Sequence, residues 1–242
     1  MRYGIFSDVH ANLEAMEAVA RAYREESIDK YFCIGDVVGY GADPRPCIEK
    51  VKALGAVTVA GNHDRGCAGL FPIDYFNPDA AEALLWTRRQ LDSLALSFLE
   101  ALQLVYEVDG VTLVHGTLEE PQDFNYMLDS ETAASSFKLL NTVICFVGHT
   151  HVAGIFKEDK NGEVVLLKGT AAALEEGGRY IVNAGSVGQP RDGIPEAAFC
   201  IYDSGTKNVA IRRVHYDIGT ARKKIVDAGL PGFLGDRLLS GR

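Results

Sequence analysis

Short apolar runs alternate with polar, glycine-bearing clusters along the chain. The runs Tyr3 to Phe6, Tyr31 to Ile34, Val57 to Ala60, Val111 to Val114 and Val143 to Val147 are of strand length and rich in β-branched and aromatic residues. Each runs out into a polar cluster: Asp8-Val9-His10, Gly35-Asp36, Gly61-Asn62-His63-Asp64, His115-Gly116 and Gly148-His149-Thr150-His151. The pattern is that of buried strands ending in loops.

Between the first three runs the period becomes helical. A helix is predicted over 12–25, with Leu13, Met16, Val19 and Ala20 on one face, and another over 47–54 after a loop bearing Gly39, Gly41, Pro44 and Pro46. The strand 57–60 leads into a loop at Asn62-His63. This βαβ order implies parallel strands joined by right-handed crossovers. Residues 78–103 read as one or two helices.

The second half is strand-rich, with runs at 104–108 and 111–115 about Asp109-Gly110, then at 143–147, 152–156, 163–168, 179–183, 197–202 and 208–215. Two short helices separated by Gly229-Leu230-Pro231-Gly232 close the chain. A parallel front and a hairpin-rich back without a linker predict two sheets packed face to face with helices outside, in one domain over 1–242.

Composition adds boundaries. The 242 residues, 47% hydrophobic and 24% charged, are ordinary for a globular chain. No apolar run approaches bilayer length, and Met1-Arg2 leads straight into a strand, unlike a secretory signal, so a cytoplasmic location and no membrane contact are expected. Cys33, Cys47, Cys67, Cys145 and Cys200 include no Cys-x-x-Cys pair, and no disulfide framework is expected. Cys67 reads as a packing residue, or as an oxidation sensor if its thiol pKa were lowered. The net charge of −9 argues against long nucleic acid as a partner. It leaves room for a small phosphate ester, because bound cations reverse the local charge.

An α/β sheet collects its chemistry at the carboxyl ends of its strands. Five of the six histidines lie in the clusters, beside carboxylates and one carboxamide. Such a set fits a site for two divalent ions. Asp36 would be the shared ligand. Asp8 and His10, two apart on an extended exit from the first strand, would point the same way. Asn62 offers a carbonyl oxygen and His115 an imidazole, while His149 and His151 project together. With oxygen and nitrogen donors and no thiolate, the set suits Mn, Fe, Co, Zn or Ni. His215 stands beside no other ligand type and reads as structural.

Taken together, Asp8-x-His10, Gly35-Asp36-Val37-Val38-Gly39, Gly61-Asn62-His63-Asp64, His115 and Gly148-His149-Thr150-His151 resemble the calcineurin-like metallophosphoesterase superfamily, with all blocks in the family's order. The segment from Asn183 to Gly193 is similar to its small bacterial phosphodiesterase-like branch, except for Ala184, where such sequences more often carry Pro. The resemblance implies a four-layer α/β/β/α sandwich. It also implies a first metal on Asp8, His10, Asp36 and His151 and a second on Asp36, Asn62, His115 and His149.

A water between two cations would have its pKa lowered enough to attack phosphorus. His63 would protonate the leaving alkoxide, with Asp64 orienting the ring and keeping it charged. Arg65 and Arg191 are either substrate-phosphate contacts or solvated side chains. Phe71, Tyr75, Phe76, Phe124 and Tyr126 either line a pocket or cap the core. The expected function is a dinuclear-metal-dependent phosphodiesterase acting on a small phosphate ester or nucleotide. A phosphoprotein (Ser/Thr) phosphatase and a non-catalytic scaffold are the alternatives, and association into a homo-oligomer stays open.

Overall fold

A computed structural model describes all residues from Met1 to Arg242. In chain order the strands are β1 (Arg2–Phe6), β2 (Lys30–Cys33), β3 (Val57–Thr58), β4 (Val105–Val108), β5 (Val111–Val114), β6 (Ile144–Val147), β7 (Gly154–Glu158), β8 (Val164–Leu166), β9 (Ala171–Ala173), β10 (Arg179–Asn183), β11 (Ala197–Asp203) and β12 (Asn208–Val214). The helices are α1 (Leu13–Arg24), α2 (Pro44–Ala53), α3 (Asn62–Ala68), α4 (Pro78–Gln90), α5 (Ser93–Glu100), α6 (Ser130–Leu139), α7 (Ile218–Asp227) and α8 (Gly232–Asp236). No helix is long and apolar enough to cross a membrane.

Two six-stranded mixed sheets form, ordered β3-β2-β1-β11-β12-β9 and β4-β5-β6-β10-β7-β8. The strands β1, β2 and β3 run parallel, as do β5, β6 and β10. Alternation within each strand sorts the side chains into layers. Tyr3 and Ile5 of β1 and Ile144 and Phe146 of β6 point into one core between the sheets, joined by Phe32, Tyr180 and Val182. Phe6 faces the other way, onto Met16, Val19 and Tyr23 of α1. Cys145 and Val147 face Ala133 and Phe137 of α6. Helix, sheet, sheet and helix are thus stacked in the predicted α/β/β/α order, and strands buried on both faces read as unbroken apolar runs for that reason.

Local chemistry sets the element ends. The Asn12 side chain accepts a hydrogen bond from the Ala15 N–H at 3.1 Å and starts α1 one residue after the expected boundary. α2 begins earlier than expected, with Pro44 in its first turn, where a missing N–H costs nothing. The third apolar run keeps only Val57 and Thr58 as strand. α3 replaces the loop expected after it, and α6 occupies a stretch to which no element was assigned.

All five cysteines are buried and free. Cys67 packs in the core, and burial, then Asp64, pushes its thiol up to about 12, opposite to the lowered pKa an oxidation sensor needs. His215 is 90% exposed at its side chain and lies 3.4 Å from Glu196.

Phe32 is fully buried and stacks on Tyr3 with ring centroids 5.2 Å apart. Phe32→Ala should destabilise the protein by about 3–5 kcal/mol in urea unfolding. Leu94→Ala, at a position 77% exposed, should stay within about 0.5 kcal/mol of the parent.

Candidate metal centre

The polar clusters meet at the carboxyl ends of the parallel strands of both sheets. Their backbones hydrogen-bond to one another before any side chain is considered. The N–H groups of Asp8 and His10 donate to the carbonyls of Gly35 and Asp36 at 3.0 and 2.9 Å. Gly188 N–H donates to Asp8 O at 2.9 Å, and Gly148 N–H to His115 O at 3.0 Å. A Cβ on Gly188 would sit 1.8 Å from the Val9 carbonyl oxygen, so only glycine permits this approach.

Asp8, His10, Asp36, His149 and His151 all have left-handed backbone, with φ of 54°, 48°, 52°, 66° and 59°. The extended exit expected for Asp8 and His10 is therefore not what aims them. Each pair converges through alternating left-handed residues, a conformation that costs free energy in non-glycine residues and persists where surrounding bonds over-determine it.

Donor atoms of Asp8, His10, Asp36 and His151 lie within 4.8 Å of one another, as do those of Asp36, His115 and His149. Asp36 belongs to both groups. His10 Nδ1 donates to Val38 O at 3.2 Å and His151 Nδ1 to Gln189 O at 2.6 Å. Their Nε2 atoms then face each other 3.0 Å apart. Two ring nitrogens aimed together, each with its other N–H bonded to a carbonyl, need a shared proton or cation between them. His115 repeats the pattern, with Nδ1 on Ile34 O at 2.6 Å and Nε2 3.3 Å from Asp36.

Asp36 Oδ2, Asn62 Oδ1 and His115 Nε2 are buried without hydrogen-bond partners. Orphaned polar atoms of this kind are rare in folded proteins, and these three belong to the ligand set expected from the sequence. The oxygen and nitrogen donors, with orphans pointing inward, fit divalent cations.

Electrostatics agree with the geometry. Burial works against ionised Asp8 and Asp36, yet the surrounding imidazoles, led by His151 and His115 respectively, hold both carboxyls below their usual range. Burial is likewise outweighed at His115, which Asp36 and Asp8 raise to about 9. Burial brings His149 down to about 3 and His151 to about 4.

A cavity of about 80 Å³ opens over this cluster, lined by Asp36, Asn62, His63, His149 and His151 with Tyr40, Tyr75, Phe76, Tyr126 and Arg191. Tyr75, Phe76 and Tyr126 thus reach the cavity, while Phe71 and Phe124 stand behind, Phe71 packing on both Tyr75 and Phe124. His63 lies against Gly39, where a Cβ would approach Nδ1 to 2.4 Å, and that Nδ1 is buried without a hydrogen-bond partner.

Asp64 does not orient His63. Its carboxylate accepts from the N–H groups of Val37, Val38 and Gly61 at 2.9, 3.3 and 3.1 Å, tying the second polar loop to the third. Nor does it keep His63 charged. Burial, with His10, Arg191 and His151, outweighs Asp36 and holds that imidazole neutral. Arg65 turns away from the cavity and donates to Leu102 O at 2.8 Å, because α3 carries it to the far side of the loop.

Tyr40 was not among the expected site residues. It packs on His10 and His63, with ring centroids 4.7 and 4.4 Å away. An aromatic residue between Gly39 and Gly41 in a polar loop was the available signal. Ser186 is also structural here, donating to Asp8 O at 2.8 Å and accepting from Gln189 N–H at 2.8 Å.

The sequence model of the calcineurin-like phosphoesterase superfamily domain matches residues 1–207. The chain belongs to this superfamily. It is accordingly a phosphoric-ester hydrolase of a divalent-metal-dependent family. Over its length it is 40% identical to the uncharacterized protein MJ0912 of Methanocaldococcus jannaschii, covering 98% of this chain and 97% of that protein. The crystal structure of a metallophosphoesterase from Sphaerobacter thermophilus is similar throughout, with a TM-score of 0.88, 40% identity and coverage of 100% and 99% of the two chains. The hypothetical protein PH1004 of Pyrococcus horikoshii OT3 shares the fold, with a TM-score of 0.80 at 20% identity and coverage of 100% and 98%.

Asp64→Asn turns one carboxylate oxygen into an N–H donor facing backbone donors. It should lower unfolding stability by about 1–3 kcal/mol in urea titration. An Asn variant as stable as the parent would contradict the tie between the loops.

Proposed function

We propose that this phosphoesterase is a phosphodiesterase for small phosphate esters, working with two divalent cations. The observation that carries the reading is the double ligand group sharing Asp36 beneath a cavity of about 80 Å³ walled by Tyr75, Phe76 and Tyr126. In this reading Asp8, His10, Asp36 and His151 hold one ion. Asp36, Asn62, His115 and His149 hold the other. When bound, such ions supply Lewis-acid polarisation of the phosphate and acidify the attacking water.

The remaining work falls to groups of the chain itself. His63, neutral and packed between Tyr40 and Phe76, is placed at the cavity without being needed as a ligand. It takes up a proton as the phosphate anion binds and passes it from Nε2 to the departing oxygen. Tyr126 stacks on His149 at a centroid distance of 4.1 Å and an interplanar angle of 11°, fixing that ring. A diester carries two organic arms. One leaves past His63, and the aromatic wall of Tyr75, Phe76 and Tyr126 accepts the other. Arg191 is held at the rim by Gln189 Oε1 at 2.8 Å and Tyr40 Oη at 3.3 Å, and it supplies the protein's own fixed positive charge toward the substrate.

His63→Ala should lower turnover of bis(p-nitrophenyl) phosphate by roughly 10²–10⁴ fold while metal content by mass spectrometry is retained. Asp36→Ala should lose metal from both groups. Stripping of the ions by His63→Ala would refute the division of roles. Turnover of a phosphopeptide in preference to the diester would favour the protein phosphatase alternative.

A further inference from the structure

His63 differs from the other histidines of the site in how its ring is held. His10, His115 and His151 each have Nδ1 bonded to a backbone carbonyl. The Nδ1 of His63 is buried without a partner, and Asp64 is engaged with backbone N–H groups instead. Packing therefore sets where the His63 ring points. Tyr40 meets it at a centroid distance of 4.4 Å and an angle of 51°, and Phe76 meets it edge-on at 5.0 Å and 72°. Tyr40 also touches Arg191. The guanidinium covers its ring at 5.7 Å, and Arg191 Nη2 donates to its hydroxyl at 3.3 Å. Tyr40, His63 and Arg191 all line the cavity.

The fold fixes Tyr40 from several directions. Its φ of 61° lies in the left-handed region, which a bulky residue keeps only where its surroundings over-determine it. Glycines on both sides let the loop close on its neighbours. A Cβ on Gly39 would meet His63 Nδ1 at 2.4 Å, and one on Gly41 would meet His10 O at the same distance. Gly41 N–H donates to that His10 oxygen at 3.0 Å. Tyr40 is also buried in an apolar cluster with Ala80 and Ala83 of α4, Ala221 and Ile225 of α7 and Leu234 of α8. α7 and α8 lie beyond the residues that the family model matches, and they reach the site through this one side chain.

We propose that Tyr40 is the positioning residue of this site, its ring setting the angle at which His63 meets the leaving oxygen and its hydroxyl holding Arg191 toward the substrate. The inference rests on the phosphodiesterase reading and deepens it. A proton-transfer group works through a neighbour that orients it. At His63 aromatic packing takes the place of the usual hydrogen bond. The two tasks are separable, because Tyr40→Phe keeps the ring and removes the hydroxyl, whereas Tyr40→Leu removes the ring as well.

The test compares methyl p-nitrophenyl phosphate with methyl phenyl phosphate on the metal-loaded protein. Phenolate is the more basic leaving group and depends more on a donated proton. Tyr40→Leu should lower kcat for the phenyl ester by roughly 10–10² fold and for the p-nitrophenyl ester far less. Metal content should hold, since His10 keeps its own bond to Val38 O. Tyr40→Phe should keep the parent's ratio between the esters and raise KM about threefold. An equal fall for both esters in Tyr40→Leu, no fall at all, or loss of metal overturns the proposal. If Tyr40→Leu does not fold, the Phe variant decides: a raised KM at an unchanged ratio sustains the proposal, and an unchanged KM overturns it. A binding measurement needs no turnover. The rise in unfolding midpoint with methyl phosphate should shrink in Tyr40→Phe, and an equal rise overturns the hold on Arg191. Should the parent hydrolyse neither diester, the phosphodiesterase reading fails, and the same comparison on phenyl phosphate and p-nitrophenyl phosphate decides Tyr40 by itself.

Discussion

The imidazoles of His10, His115, His149 and His151 and the carboxylates of Asp8 and Asp36 are held together out of water, and that enforced proximity governs the rest of the molecule. Charged groups removed from solvent cost several kcal/mol each unless they are paired. Left to themselves, these groups settle by keeping Asp8 and Asp36 ionised, raising His115 and lowering His149 and His151. The compromise still strands Asp36 Oδ2, Asn62 Oδ1 and His115 Nε2. A fold that tolerates this arrangement must oppose its relaxation, and the two-sheet architecture does so. Loops from both sheets are bonded to one another at their backbones, and the rings of His10, His115 and His151 have Nδ1 tied to carbonyls.

That bracing explains why strain concentrates at Asp8, His10, Asp36, His149 and His151. A left-handed conformation at a non-glycine residue persists only where neighbouring bonds leave no alternative. Here the neighbours are the Gly35 and Asp36 carbonyls on one side and the segment from Asn183 to Gln189 on the other. Asn183 donates to both Gly148 O and Thr150 Oγ1, at 2.8 and 2.9 Å. Asp64 belongs to the same frame, its oxygens closing the second polar loop onto the third.

Much of this was legible in the sequence, for reasons specific to particular residues. Strands buried on both faces, such as Ile144 to Val147, advertise themselves as unbroken apolar runs, and polar residues at their ends can only be loops. The two-sheet stack followed from that pattern together with the turn signals. α6 was hidden because its buried residues, Ala133, Ser136 and Phe137, include a serine and leave too thin an apolar stripe. α3 was hidden because its first turn is made of the site residues themselves. What pairs with Asp64, and where Arg65 points, depend on how three loops nest, which spacing along one chain does not encode. The role of Tyr40 was less legible than its place between Gly39 and Gly41 allowed, since the His10 and His63 rings it packs on come from other loops.

The pairing of β1 with β11 has a consequence for how the protein comes into being. The loop bearing Asp8 and His10 leaves β1 early in the chain, yet its carbonyls are capped by Val187 and Gly188 and its strand is flanked by residues 200–203. A ribosome-bound chain that has not yet released β11 carries every candidate ligand but lacks the wall that holds them in place. Assembly of the ligand set therefore waits until β11 has paired with β1, and long-range strand pairing of this kind folds slowly.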